Sequence, residues 1–361
     1  MTDKTSLYEY VKRMRRALHE VPELSDEEYL TSDFLLGELT ALGYKPERIH
    51  TGLYVDVKGT KGERTVALRC DMDGLPIREK TGREFAAKKN MHACGHDGHM
   101  AIVLGVAREL ALKPPADNVR LIFQFGEEGE GGADKMIKAG VLTGVDEIYA
   151  VHLCPELEIG KLSSCLGAMF AGTVEFDIVV KGKASHCASR ETGADALKTA
   201  RDFLFKSEEI EKRLANTLLH TGRLVAGAAR NVVADRAELN CTFRYFEPDD
   251  VNVFLSELGK ILEAADKKHE TKSEIFVRTV YPPLINSEKA YNRLKAVAEL
   301  ADCSPRYTAE DFAFYTQKID GCMAWLGVKD SAHSSPLHSD TFDFDERALM
   351  LGVETMLKLV N

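Results

Sequence analysis

Between residues 54 and 153, short apolar runs of strand length alternate with stretches of helical periodicity, and that alternation leaves few folds open. Residues 54–58, 65–70, 119–125 and 147–153 read as strands, the last two almost continuously apolar, as strands buried on both faces are. Residues 5–20 set Leu7, Val11, Met14 and Leu18 at three- and four-residue steps, the period of an amphipathic helix. Ser25 and Glu28 form a capping-box pattern for a second helix running to about Leu42, which Gly43 stops. Residues 99–110 and 133–139 read as further helices. Apolar strands separated by helices predict an α/β domain with a mostly parallel mixed sheet flanked by helices.

The pattern changes near Gly167. A strand at 175–182, a helix at 193–214, strands at 224–233 and 237–246, a helix from Pro248 to about Lys267 and a strand at 274–281 follow. This βαββαβ order predicts a ferredoxin-like α+β domain. The expected organisation is a discontinuous catalytic domain, 1–168 with 284–361, and an inserted lid at 169–283.

A chain of 361 residues is long enough for one large and one smaller core. Its net charge of −10 argues against a nucleic-acid partner, which needs a clustered basic excess. The first thirty residues interleave Lys12, Arg13, Arg15, Arg16, Glu20 and Glu23 with apolar positions and predict no secretion signal, and no apolar stretch is long enough to cross a bilayer. The eight cysteines are scattered, which predicts buried, reduced thiols at every position but Cys94 and a cytoplasmic protein.

Chemistry concentrates in Met91-His92-Ala93-Cys94-Gly95-His96-Asp97-Gly98-His99, a density of donors suited to a borderline-soft divalent metal. Cys94 and His96, two apart around a glycine in a loop, can converge on one ion; His92 and His99 are either supporting groups or simply exposed. Glu127-Glu128 close an apolar run where open α/β sheets put their active sites. On an extended chain the pair points to opposite sides, so one carboxylate can bind metal while the other faces water or substrate. His152 ends the next apolar strand, and His338 is one more candidate ligand in the C-terminal segment. Asp71 and Asp73 end the strand before them, and Asp73 is the better candidate to accept the spare N–H of a ligating histidine. In the predicted lid, Lys183-Ala184-Ser185-His186, Asn231 and Arg244 lie on or beside strands; the Arg244 guanidinium suits a substrate carboxylate, the alternative being a strand-surface charge.

RCDMDGLP, MHACGHDGH and FQFGEEGEGGA, with RRALHEVPELS before them and GKASH, EDFAFY and PLHSDTFDFDE after them, resemble the amidohydrolase branch of the aminoacylase/carboxypeptidase metallopeptidases. The resemblance implies two divalent ions, Zn²⁺ or Mn²⁺ with Ni²⁺ or Co²⁺ as further options, held by Cys94, His96, Glu128, His152 and His338, with Cys94 as the bridge. It implies Glu127 as the catalytic base and His186 as a donor to the oxyanion, often across a homodimer formed through the lid. Asn231 and Arg244 match positions associated with substrate. Related carboxypeptidases carry histidine where Asp71 stands. One departure is the segment Cys187-Ala188-Ser189-Arg190, where the family usually has a proline. The implied function is metal-dependent cleavage of N-acyl amino acids, small-molecule substrates, to a carboxylic acid and a free amino acid. A dipeptidase or carboxypeptidase is the first alternative and a non-catalytic binding protein the second.

Overall fold

The computed structural model describes residues 4–129 and 131–361. The chain divides into two compact units. One comprises Met1–Met169, Ile285–Ser304 and Asp311–Asn361; the other comprises Phe170–Leu284 with Pro305–Glu310. The return of 305–310 to the second unit had no signal in the sequence; the Ala171 amide donates to the carbonyls of Arg306 (2.9 Å) and Thr308 (3.1 Å).

The first unit contains an eight-stranded sheet in the order Glu47–Ile49, Gly52–Val57, Asn118–Gln124, Thr65–Asp71, Glu147–Glu158, Asp320–Lys329, Leu162–Ser163, Leu300–Ala301. Its four central strands, from Asn118–Gln124 to Asp320–Lys329, are mutually parallel. Their side chains are buried almost throughout, as expected of strands covered by helices on both faces. The helices Lys4–His19, His96–Leu112 and Leu349–Leu359 pack together over a shared core. Gly105 allows that approach: a Cβ there would lie 2.7 Å from Val11 Cγ2 and 3.1 Å from Val353 Cγ2.

Helix Tyr29–Ala41 is not closed by the predicted capping box. Ser25 Oγ donates instead to Asp73 Oδ2 (2.6 Å), and Glu28 is buried, accepting from Thr51 Oγ1 (2.7 Å) and the Gly126 amide (2.8 Å). Long-range partners outcompete the local cap. Among the seven cysteines expected to be buried, Cys70, Cys154, Cys241 and Cys322 are so; Cys165 and Cys303 are half-buried, and Cys187 is exposed because it opens a surface 3₁₀ turn.

Arg15 and His19 lock the first helix onto the residue after His96. Arg15, 2% exposed, donates to Asp97 (2.8 Å) and Asp343 (2.9 Å). His19 Nδ1 lies 2.8 Å from Asp97 Oδ2 and Nε2 3.2 Å from Glu79 Oε2. Burial opposes charging His19, but Asp97 and Glu79 outweigh it and raise its pKa to about 9. A raised histidine contributes stability that is complete below its unfolded pKa of 6.5 and disappears as pH rises through about 9. Denaturation curves should therefore show a loss on the order of 3 kcal/mol between those limits that His19→Gln lacks. Parallel pH profiles for the two proteins would refute the assignment.

The second unit carries a four-stranded antiparallel sheet in the order Lys272–Tyr281, Gly172–Lys181, Arg236–Tyr245, Leu218–Ala226. Helices Ala196–Arg213 and Asp250–His269 complete the ferredoxin-like order, and their apolar faces share a core with the sheet. The strand expected at 224–233 runs instead over Leu218–Ala226. Gly227, at φ +69°, ends it, and Val232 and Val233 pair with the segment at Ser185–His186 rather than extending the strand.

Candidate metal centre

Helix His96–Leu112 starts one turn earlier than expected, so His96 is its first residue. Gly95 makes the entry at φ +86°, and a Cβ there would sit 2.8 Å from Leu153 Cδ1, so the position suits only glycine. This turn brings Cys94 and His96 onto one site. Strand Glu147–Glu158 continues past His152, which is not its end. His152 lies beyond the last residue paired with Thr65–Asp71 but stays paired to Trp325.

The chain bends at Gly126 (φ +64°), after the strand ends at Gln124. Glu127 and Glu128 are thus not on extended backbone, and the expected divergence fails: both carboxylates reach the same cluster as His96. His338 adopts φ +62°, uncommon away from glycine and a mark of a residue held by its surroundings. Its amide donates to Ala93 O (2.8 Å), docking its loop against the cysteine turn.

Among the described residues, the five expected ligands and Glu127 fall into three of the overlapping donor clusters: Cys94, His96 and His152; Cys94, Glu128 and His338; and His96, Glu127 and Glu128, with the donor atoms of each within 4.8 Å of one another. Cys94 Sγ is 3.5 Å from His152 Nε2, and His338 Nε2 is 3.1 Å from Glu128 Oε1. Donors held about 2.0–2.3 Å from a tetrahedral ion are separated by about 3.3–3.8 Å; the Cys94–His152 pair fits that spacing, and the His338–Glu128 pair is at hydrogen-bond distance. Ring orientations fit as well. His96 Nδ1 faces the Asp73 carbonyl (2.8 Å) and His152 Nδ1 the Leu153 carbonyl (2.8 Å). A carbonyl only accepts, so in its neutral form each ring carries its proton on Nδ1 and presents a bare Nε2. Nε2 of His96 is buried without a hydrogen-bond partner, the kind of orphan a cation would satisfy.

The electrostatics point the same way. Burial, then Glu128, Glu127 and Asp71, pushes the Cys94 thiol well above its usual pKa. Burial opposes charging His96, but Asp71, Asp73 and Glu128 together hold its pKa up at about 10. Burial, with His99 beside it, lowers His152 well below the ordinary range. His338 is raised by its contact with Glu128. The site sets buried Asp71 and Asp73 and half-buried Glu127 and Glu128 around a thiol, and a divalent cation would favour the thiolate and the neutral imidazoles.

Asp73 supports the cluster through two groups. Its carbonyl takes His96 Nδ1, while its carboxylate accepts from Ser25 and from the Glu128 amide (2.9 Å). Asp97, within the donor-rich run, turns away to Arg15 and His19. His92 is buried, pushed down to about 4 by that burial, and among the described residues joins none of the clusters. Glu28, which sequence reasoning read as a cap, holds the Gly126 turn; burial raises its carboxyl to about 7 against the hydrogen bonds it accepts. Arg69, Gln124 and Asp311 were also missed and form a buried network beneath the site.

In the second unit, His186 is exposed and caps the turn Cys187–Thr192, its Nδ1 accepting from the Ala188 amide (3.2 Å). A neutral His186 therefore carries its proton on Nε2. The Cys187 amide donates to the Asn231 carbonyl (2.9 Å), which sets Asn231 beside it. Arg244 is not with them. Along the sheet Lys181 pairs with Arg236 and Thr173 with Arg244, so eight residues, about 26 Å of strand, separate the two ends. Arg244 Nη2 lies 3.1 Å from Glu175 Oε1.

An α/β unit that gathers a thiol, imidazoles and paired carboxylates in one cluster has the donor set of a metal-dependent hydrolase. Comparison with known proteins makes the class specific. The model of Peptidase family M20/M25/M40 matches residues 67–361. N-acetyldiaminopimelate deacetylases of Oenococcus oeni and Streptococcus uberis are 34% and 36% identical to the chain, over 96% and 93% of it and 96% and 94% of their own lengths. A protein of methicillin-resistant Staphylococcus aureus described as an aminohydrolase superposes with a TM-score of 0.94 at 27% identity, over 99% of this chain and 96% of its own. The Bacillus subtilis YXEP protein, described as a dinuclear metal binding peptidase from the M20 family, superposes with a TM-score of 0.88 at 29% identity, over 99% and 98%. The chain belongs to Peptidase family M20/M25/M40 and is a hydrolase acting on amide bonds. Among the described residues no helix is long and apolar enough to cross a membrane.

Proposed function

We propose that the protein removes the acyl group from N-acyl amino acids, with N-acetyl amino acids as the leading substrates, using two divalent ions. Cys94, His96, Glu128, His152 and His338 would hold them in this reading, with Zn²⁺ or Mn²⁺ as the metals. The observation that carries it is the convergence of two adjacent carboxylates on His96, whose ring is oriented to offer Nε2, with Cys94 and the similarly oriented His152 beside it. The relatives named deacetylase support the acetyl group.

When bound, the ions supply Lewis acidity to the amide carbonyl and to the attacking water. Glu127, whose Oε2 lies 3.9 Å from His96 Nε2, takes the proton of that water and returns it to the departing amine. Asp73 and Glu28 hold the Glu127-Glu128 turn in place. His186 offers its Nε2–H to the oxyanion, and Asn231 and Arg244 bind the amino-acid portion. Because His186 lies beyond one end of the sheet, on the segment bridged to Val232, and Arg244 lies at the other end, a single small substrate cannot touch both from one protomer. This supports a homodimer through the inserted unit, with His186 acting across it in a cytoplasmic enzyme.

Release of amino acid from N-acetyl and N-benzoyl amino acids, measured against dipeptides with added Zn²⁺ or Mn²⁺, tests the reading. Preference for the acyl substrates is expected. Faster hydrolysis of dipeptides would transfer the assignment to a dipeptidase.

A further inference from the structure

His99 sits within donor distance of Asp71 and His96, which makes it a candidate ligand by proximity. Its hydrogen bonds argue otherwise. The backbone N–H of Leu153 donates to His99 Nε2 (3.0 Å), and an amide nitrogen in a peptide has no lone pair to accept with. The proton of a neutral His99 must therefore reside on Nδ1, where it is given to Asp71 Oδ1 (2.7 Å). The other oxygen of Asp71 accepts from Arg69 Nη1 (2.8 Å). Arg69, 1% exposed, also donates to Asp311 (2.8 Å) and to Gln124 (2.8 Å), and Gln124 in turn donates to Asp311. Every member of this chain is buried.

We infer that His99 is a positioning residue and not a metal ligand. It carries a relay of fixed hydrogen bonds, Arg69 to Asp71 to His99 to the Leu153 amide, that sets the backbone next to His152. His152 depends on that backbone twice: Leu153 follows it directly, and the Leu153 carbonyl orients its ring. The His99 and His152 rings also meet edge to face, with centroids 4.6 Å apart. Asp71, which stands where related carboxypeptidases carry a histidine, is committed through both oxygens to Arg69 and His99. The relay thus fixes one wall of the donor cluster from behind. The inference rests on the proposed reading of His96 and His152 as ligands.

Long-range ¹H–¹⁵N spectra of histidine-labelled protein, recorded without metal and after saturation with Zn²⁺, test it without any substitution. His99 is expected to keep a protonated Nδ1 and an accepting Nε2 in both states, while the Nε2 signals of His96 and His152 change on metal addition. A His99 Nε2 signal that shifts with Zn²⁺ as those do would overturn the inference. Calorimetry adds a second readout: His99→Leu should weaken Zn²⁺ binding about 10–100-fold, and His99→Asn, which keeps a donor toward Asp71, should recover part of that loss. Unchanged Zn²⁺ affinity in a folded His99→Leu protein would also overturn it. Failure of the unsubstituted protein to bind Zn²⁺ at all would instead overturn the ligand reading on which the inference stands.

Discussion

Glu127→Gln is expected to lower kcat/KM by about 10²–10⁴-fold, the range a positioned general base contributes, while the protein still binds its metal. Gln preserves the length and shape of the side chain but cannot accept the proton of the attacking water. Its neighbour Glu128 remains to hold metal, since the Glu128 amide is fixed by Asp73 and its carboxylate faces His338. The two adjacent glutamates are therefore separable by experiment: Glu128→Gln should lose metal affinity first and activity as a consequence, whereas Glu127→Gln should lose turnover at full metal content. Near-normal turnover in metal-loaded Glu127→Gln would remove it from the base role. Metal content measured alongside kcat decides between these outcomes.

Arg15→Met should cost about 3–5 kcal/mol of stability, because it leaves buried carboxylates without their cation. Met keeps an unbranched apolar side chain of similar reach, while the guanidinium carbon that lies 4.9 and 4.4 Å from the ring centroids of Phe85 and Phe344 is lost, so the loss reports the charge with its cation–π contacts. Asp97 and Asp343 would each lose a hydrogen bond from a group that is 2% exposed. Burial alone would raise Asp97, and Arg15 and His19 together hold its carboxyl well below the ordinary range. Urea denaturation at neutral pH reads the difference. A change under 1 kcal/mol would mean that His19, beside Asp97, and Arg83, which donates to Asp343, suffice to balance these acids. Asp97 immediately follows His96, so the same substitution should also loosen the donor cluster.

The alternating strand and helix patterns made the α/β sheet and the βαββαβ order legible in the sequence. Both depend on hydrophobic period, and period survives in a linear string. The donor residues were legible too, because Cys94, His96, Glu128 and His152 stand next to apolar strands or a glycine turn. What stayed hidden is what acts at long range. Ser25 and Glu28 satisfy a local capping rule in the sequence but serve Asp73, Thr51 and Gly126 in the fold. Arg69 did leave a trace, a charge inside Val66-Ala67-Leu68-Arg69-Cys70, yet nothing local names Asp311 as its partner. The extended-chain rule failed at Glu127-Glu128 because Gly126 turns the backbone first. The strand misplaced at 224–233 failed for a related reason: apolar residues in a loop can pair with another loop, as Val232 and Val233 do with 185–186.

Anomalous diffraction from crystals equilibrated with Zn²⁺ or Mn²⁺ tests the central claim most directly. The account predicts two peaks within one cluster, with Cys94 Sγ shared between them and His96, His152, Glu128 and His338 completing the coordination. Peaks elsewhere on the molecule, or none among these five side chains at saturating metal, would contradict it.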